Sequence, residues 1–494
     1  MPLSSAAPRP SPPRLSLLAA AAALSLLPPP ALGTNVRGAN SWYSFFGATN
    51  ETQTLAAAQY MSEHMLAYGY DTYTIDEGWG EDGSGLLIDA NGRPRWDDAK
   101  YPSGGIPGLA ARMKALGIKL GLWLIRGVPR AAAEQRLPIA GGGGATADQA
   151  AREDRNCSWS STHFGSTAPS APAAAYFASV ASLIASWGVS LVKIDCLWPH
   201  LYEGTPQQYF DEDVLAMTSA FSAAGLELSL SPGISVSVQN GSWLAAGRRA
   251  GFYRIAEDVL DVYDGPADGT FPQGLHQKLT KALEFEGLLD TSGGNGTSPD
   301  FDMLMVGRTI HAYSPGQVPA TETHLTRDEQ LQAVTLFAFT GVPMIVGGQL
   351  PLGDDANGTA TLALLTNAEV LLVQNASLAR ASFVPPEASS AELYGWQATP
   401  AGARAPAATR YVALLSAVDA PTVASARFVN DLGLPAGTTS VCLRDLWAHS
   451  FVQPVGGLLP GGAAGFSASV APHGARAFLV APVGSDDCAS GLAA

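Results

Sequence analysis

One cadence repeats along the chain: a helical stretch, a glycine, a short apolar run, then a polar end. Apolar residues around Leu55, Ala58, Met61 and Met65 lead to Gly69, after which Tyr73-Thr74-Ile75 ends at Asp76-Glu77. A second unit reaches Gly117, and Ile118 to Ile125 then ends at Arg126. A third has Pro172 at a helix start, carries Tyr176, Val180, Ile184 and Trp187 at helical spacing, and stops at Gly188; Leu191 to Ile194 follows and ends at Asp195. Gly225 precedes Leu226 to Leu230, and Gly251 precedes Phe252 to Ala256, which ends at Glu257-Asp258. Glycine suits the left-handed exit of a helix. Short apolar strands between helices make a parallel sheet buried on both faces. A first strand near Trp42 and later ones near Met303 and Met344-Ile345-Val346 bring the count to eight, the number of a (β/α)8 TIM barrel in the α/β class. The competitor, a doubly wound sheet, more often shows a glycine-rich phosphate turn after its first strand, and none is present.

From about residue 385 the texture changes. Pro385-Pro386 through Ala408 is rich in Pro, Ala, Ser and Gly, and beyond it Tyr411 to Val418, Arg427 to Val429, Val441 to Leu446 and Arg476 to Val480 are short strand-like runs. These predict a small antiparallel β-sandwich. At the other end, Arg9 and Arg14 precede an apolar stretch from Leu15 to Leu27, then three prolines and the small-residue site Ala31-Leu32-Gly33. That is the build of a secretory signal peptide, too short to cross a bilayer; an uncleaved anchor is the rival reading. The expected division is a signal peptide over 1–33, a barrel over 34–385, a linker over 386–409 and a sandwich over 410–494. No later apolar run is long enough to span, so no stable membrane insertion is expected. The expected destination, by the secretory pathway, is outside the cell or a vacuole or lysosome. Sequons at Asn50, Asn156, Asn240, Asn295, Asn357 and Asn375 fit a glycoprotein.

Charge narrows the partners. The 28 basic and 43 acidic residues give −15, with no run of Lys or Arg, which argues against nucleic acid. The acids at strand ends carry the chemistry, because barrel sites are built where strands finish. Those positions hold Asp76, Glu77, Asp195, Asp258 and, in the loop before the Met303 strand, Asp302. A lone aspartate is usually a helix cap or a surface charge; five on one rim need cations. Lys193 lies two before Asp195, on the same strand face, and Arg254 lies four before Asp258. Two carboxylates in one pocket, one ionised and one able to carry a proton, suit glycosidic cleavage. No nucleophile elbow, Walker lysine or clustered Cys/His set appears among the eight histidines, and no acid spacing fits an EF-hand. No metal and no cofactor are expected.

At this point the residues resemble glycoside hydrolase family 27, the α-galactosidase and α-N-acetylgalactosaminidase group, from about Asn40 to Leu446. The resemblance rests on Asn40-Ser41-Trp42, Gly69 through Trp79, Gly117 through Trp123, Trp187 through Cys196, Tyr253 through Asp258, Asp300 through Leu304, Pro343 through Gly347 and Arg444 through Trp447. It implies a barrel with a C-terminal sandwich and a small carbohydrate substrate. It makes Asp195 the nucleophile and Asp258 the acid/base of a retaining double displacement. Lys193, Arg254 and Asp302 would bind sugar hydroxyls, Trp42 and Trp123 would face the sugar, and Asp76 and Glu77 would grip the 4- and 6-hydroxyls of galactose. It further implies disulfides Cys157–Cys196 and Cys442–Cys488, against the reading of four free thiols. Two departures bear on substrate. Glu77 stands where the family usually has Asp, crowding a 6-CH2OH arm that β-L-arabinopyranose lacks. Pro232, in Ser229 through Gly233, stands near where the family places a Glu at the sugar 2-position; the Asn156 to Ser161 loop is a candidate replacement. Terminal α-D-galactosyl hydrolysis is the leading expectation, with β-L-arabinopyranoside hydrolysis and non-catalytic sugar binding as alternatives. A homodimer is left open.

Overall fold

Helix-linked parallel strands of a (β/α)8 unit bury both faces, so their sequence runs are short and apolar and their ends polar. The computed structural model describes residues 36–157, 159–197, 211–231, 251–266, 271–289, 298–311, 320–375, 377–388, 392–400, 408–459 and 461–485. Its eight parallel strands are β1 (Arg37–Asn40), β2 (Tyr70–Ile75), β3 (Lys119–Ile125), β4 (Leu191–Asp195), β5 (Glu227–Leu230), β6 (Phe252–Arg254), β7 (Ser298–Asp300) and β8 (Met344–Val346). They pair in sequence order from β1 to β7, and β8 pairs with β1. A parallel bridge from Leu304 to Val346 closes the ring. The first strand ends before Trp42, which opens a four-residue helix, and the seventh ends before Met303. Both were expected later because Arg37–Asn40 and Ser298–Asp300 lack an apolar signal. The shift places Asp302 just beyond a strand end, on the same rim as the other acids.

Outside the ring lie α1 (Glu51–His64), α2 (Gly105–Ala115), α3 (Ala171–Ser186), α4 (Asp211–Ala223), α5 (Leu275–Glu284), α6 (Arg327–Thr340), α7 (Ala356–Leu365) and α8 (Ala368–Asn375). Local chemistry sets their ends. Ser170 caps α3 through the Ala173 amide, with proline in the first turn. Thr326 and Glu329 form a capping box on α6, and Gly341 ends it at φ +74°. The stretch Ala356–Asn375 is long and apolar enough to cross a membrane, contrary to the sequence reading. In the fold it is divided between α7 and α8, and α8 packs on α6 with Val370, Leu371 and Val373 buried.

The second sheet corrects the linker. Strands β9 (Ser377–Phe383), β10 (Leu393–Pro400), β11 (Arg410–Ser416), β13 (Val441–Asp445), β14 (Ser450–Val455) and β16 (Ala475–Pro482) form an antiparallel sheet ordered β9-β10-β11-β16-β13-β14. Strands β12 (Thr422–Arg427) and β15 (Ala464–Val470) belong to the facing sheet. Segment 386–409 therefore contains β10, paired with both β9 and β11. Both of its faces are buried: Tyr394, Trp396 and Ala398 join the barrel's core, while Leu393 joins the sandwich interior with Val412, Leu414 and Phe478. Helix α6 lies between the two units, where Gln332 Nε2 donates to the Ser416 and Gly474 carbonyls at 2.8 and 3.0 Å.

Candidate active site

Each acid of the rim is held by groups that the adjoining backbone and other strand ends deliver. After β2, Asp76 is 3% exposed and saturated: its amide donates to Ser41 Oγ (2.9 Å), and Oδ1 accepts from the Glu77 amide (2.9 Å). Its Oδ2 accepts from Asn40 Nδ2 (2.7 Å) and Lys193 Nζ (2.8 Å). Gly78 makes the turn possible, since at φ +94° a Cβ would stand 2.5 Å from the Gly47 Cα. At the end of β4, Asp195 Oδ1 accepts from the Cys196 amide (2.7 Å) and Oδ2 from Trp123 Nε1 (3.1 Å). Cys196 adopts φ +59° and is bonded to Cys157.

A second cluster is built on β6. Arg254, 2% exposed, reaches Asp258 Oδ1 at 2.7 Å through Nη2 and Asp302 Oδ1 at 3.2 Å through Nη1. It also donates to the Ala256 carbonyl (3.1 Å) and Ser231 Oγ (3.3 Å). Asp302 Oδ2 accepts from the Val259 amide (2.8 Å), which ties β7's end to the loop carrying Asp258. The pattern is the same twice: a cation anchored on a buried aspartate and shared with a more open one. Lys193 anchors on Asp76 and stabilises Asp195; Arg254 anchors on Asp302 and holds Asp258, whose side chain is 37% exposed. Burial works against both cations, but the surrounding carboxylates outweigh it and raise both pKa values. Burial raises Asp195, Lys193 opposes that, and Asp258 adds to it, so the two acids sense each other.

Three further carboxyls have their pKa values pushed well up by burial. Burial, then Asp76, Glu81 and Asp195, push Glu77 up to about 8. Burial pushes Asp300 up to about 7, and burial with Asp258 pushes Glu257 up to about 8. Beneath the Asp258 loop, Lys278 of α5 is 1% exposed and donates to the Glu257 carbonyl (2.7 Å); burial brings it down to about 7. A narrow cavity inside the barrel, lined by Asn40, Lys193, Ser229, Arg254, Asp300 and Asp302, continues below the rim.

The structure thus brings together Asp76, Lys193, Trp123 and Asp195, and, through Arg254, Asp258 and Asp302; Glu77 joins the first group through its charge interactions with Asp76, Asp195 and Lys193. Trp42 is half-buried, its amide fixed on Asn40 Oδ1 (2.8 Å) and its ring edge-on to Phe46. Sequence reasoning missed Asp300, Glu257 and Lys278, and also Trp159, which is 41% exposed with its ring 6.3 Å from Trp123. Its position two residues after Cys157 was the available signal. Pro232 and Gly233 lie outside the described residues, as do Asn240 and Asn295. Of the other sequons, Asn357 is exposed; Asn50 caps α1, Asn375 accepts from Arg37, and Asn156 is half-buried. Cys442 is disulfide-bonded, and its expected partner Cys488 lies outside the described residues. Among the described residues one group, Asp261, His311 and His324, could hold a metal ion; it lies outside this acid cluster.

Comparison with known proteins agrees with this architecture. Residues 403–480 match the alpha galactosidase C-terminal beta sandwich domain. The fold is similar to a β-L-arabinopyranosidase of Geobacillus stearothermophilus from glycoside hydrolase family 27, at 25% identity and TM-score 0.78, covering 92% of this chain and 98% of that one. It is also similar to alpha-galactosidase I of Mortierella vinacea (20% identity, TM-score 0.65, covering 90% and 96%) and to an alpha-galactosidase of Saccharomyces cerevisiae (16%, 0.61, 92% and 100%). No curated protein matches by sequence.

Proposed function

We propose that the chain is a member of glycoside hydrolase family 27 acting on carbohydrates, and within it a retaining exo-glycosidase releasing terminal α-D-galactosyl residues. The observation that carries this reading is the pair of rim aspartates, Asp195 and Asp258, each sharing a buried cation with an anchoring acid. In the first step an Asp195 oxygen forms a bond to the anomeric carbon as the glycosidic C–O bond breaks, and Asp258 gives its proton to the leaving oxygen. In the second, Asp258 takes a proton from a water whose oxygen attacks the same carbon, and the Asp195 ester bond breaks. Two inversions return the original anomer. Lys193 supports the ionised nucleophile, while Arg254 positions Asp258 and favours its carboxylate once the proton has left. Trp123 orients Asp195 and, with Trp42 and Trp159, offers aromatic surface to a sugar ring.

Glu77 favours a second reading, β-L-arabinopyranoside hydrolysis by the same steps. The added methylene, about 1.5 Å of chain, crowds a hydroxymethyl arm, and the Geobacillus relative bears that activity in its name. Purified chain is to be assayed on p-nitrophenyl α-D-galactoside, β-L-arabinopyranoside and α-N-acetylgalactosaminide, with the first-formed anomer read by NMR. Turnover of the galactoside with retention supports the first reading, and Glu77→Asp raises the galactoside-to-arabinoside ratio under the second. Inversion, or undiminished hydrolysis after Asp195→Asn, refutes the mechanism. We also propose passage through the secretory pathway, supported by the signal-like segment 1–33 and the Cys157–Cys196 disulfide.

A further inference from the structure

Asp261, His311 and His324 come from three separate segments. Asp261 lies three residues past Asp258, His311 follows β7, and His324 precedes α6. Asp261 is 0% exposed and forms no ion pair with Lys or Arg among the described residues. Its Oδ2 is crowded, with His311 Nδ1 at 2.5 Å, His324 Nδ1 at 3.5 Å, the His324 amide at 2.8 Å and Thr309 Oγ1 at 3.2 Å. Its Oδ1 is buried and has no hydrogen-bond partner among the described residues. The two imidazoles stack with centroids 3.9 Å apart, and one ligand atom from each of the three residues falls within 4.8 Å of the others. Two protonated rings so stacked would repel, so imidazolium charge is a poor counterweight for this acid.

From this we infer that Asp261, His311 and His324 form a binding site for one zinc-like divalent transition-metal ion, which clips the Asp258 loop to the segments entering α6. Two imidazoles with one carboxylate suit zinc better than calcium or magnesium, which prefer all-oxygen sets. Ligand bonds of about 2.0–2.1 Å at a tetrahedral centre separate ligand atoms by about 3.3 Å. The His324 spacing already fits; His311 must retreat by somewhat under 1 Å. His311 Nε2 is hydrogen-bonded to Thr321 Oγ1, the outer partner that fixes a ligating ring with its other nitrogen toward the metal. With side-chain exposures of 22% and 60%, the histidines leave the site open on one side for entry and for a water as fourth ligand.

The inference is independent of the sugar specificity. The full chain, stripped with chelator and desalted, is titrated with ZnCl2 by calorimetry and melted with and without the ion; cobalt is then substituted for zinc. We expect one ion per chain, a higher Tm, and visible cobalt bands of a four-coordinate nitrogen–oxygen site. His324→Gln and Thr321→Val are each expected to weaken binding at least about tenfold. Absence of stoichiometric binding by the wild-type chain overturns the inference even if a variant fails to fold. So does unchanged affinity in a folded His311→Gln/His324→Gln double variant.

Discussion

Lys193→Met isolates the charge that, on this reading, keeps the nucleophile ionised. Asp195 has burial raising its pKa and the Lys193 ammonium as the largest opposing influence. Residues two apart in a strand are separated by about 6.6 Å. A unit charge at about that distance, with an effective dielectric constant of about 20, is worth about 2.5 kcal/mol. At 1.36 kcal/mol per unit this is about 1.8 pKa units. The sign follows from the reactant form: the carboxylate attacks, so activity exists only above the Asp195 pKa, and removing the cation raises that pKa. The acid limb of kcat/KM against pH, measured on a p-nitrophenyl glycoside, is therefore expected to move up by 1–2 pH units. Lys193→Arg should leave it nearly in place. The Met variant also leaves Asp76, with a side chain 4% exposed, without its ion pair, at a cost of about 3–5 kcal/mol. Rates should accordingly be taken at low temperature with circular dichroism confirming the fold. A folded Met variant whose acid limb stays within about 0.3 units of wild type, while Asp195→Asn is inactive, would refute the assignment of Lys193.

Four other perturbations test the surrounding structure. Asp213→Ala strands the fully buried Arg126, which also supports the Cys196 carbonyl (2.9 Å), and is expected to lower stability by about 3–5 kcal/mol in denaturant melts. Cys157→Ser opens a crosslink of sequence separation 39, worth about 4 kcal/mol of unfolded-state entropy, and the same melts measure it. Asp300 keeps in the folded state a proton that the unfolded chain releases above its ordinary 3.8, so its contribution to stability falls between about pH 4 and 7. Asp300→Asn should flatten that part of the Tm–pH curve; an unchanged slope counts against the raised pKa. Glu77, up at about 8, is protonated at neutral pH and can donate to a sugar hydroxyl, so Glu77→Gln is expected to preserve KM at pH 6–7 and to remove any rise in KM across pH 8.

What the sequence showed and hid follows from burial. Strands β2 through β6 and β8 were visible because a strand covered on both sides must be apolar, and the glycines and acids at their ends punctuate them. Strand β1, Arg-Gly-Ala-Asn, and β7, Ser-Pro-Asp, carry no such signal; their neighbours in the closed ring fix them. Gly38 is required because a Cβ there would stand 2.3 Å from the Thr72 carbonyl oxygen, a constraint invisible without β2 beside it. Strand β10 was hidden because its flanks are rich in Pro and Ala and because Gly395, Gln397 and Thr399 interrupt its apolar run. Among the site residues, the acids at strand ends could be read because the barrel rule assigns them one rim. Lys278 and the Asp261, His311 and His324 group could not, since residues up to 63 apart meet only once the loops are in place.

The charge balance of the rim explains why these acids tolerate one another. Asp76, Glu77, Asp195, Asp258, Asp300 and Asp302 are balanced chiefly by Lys193 and Arg254, with Lys278 acting on Asp258 and Asp302 from beneath the loop. Fully ionised, they would leave a large uncompensated negative charge in a poorly solvated space. The fold relieves this unevenly. Glu77, up at about 8, is mostly neutral near pH 7 and Asp300, up at about 7, is about half so, whereas Asp76 and Asp302 are each fixed to a cation by direct contact. Asp195 and Asp258 then receive what is left of each cation's field while keeping a more open side. A carboxylate held too firmly would neither attack carbon nor exchange a proton. An acid without a nearby cation would stay protonated in this burial. Sharing one cation between an anchored and an open aspartate meets both requirements, and the barrel supplies it twice, through Lys193 on β4 and Arg254 on β6.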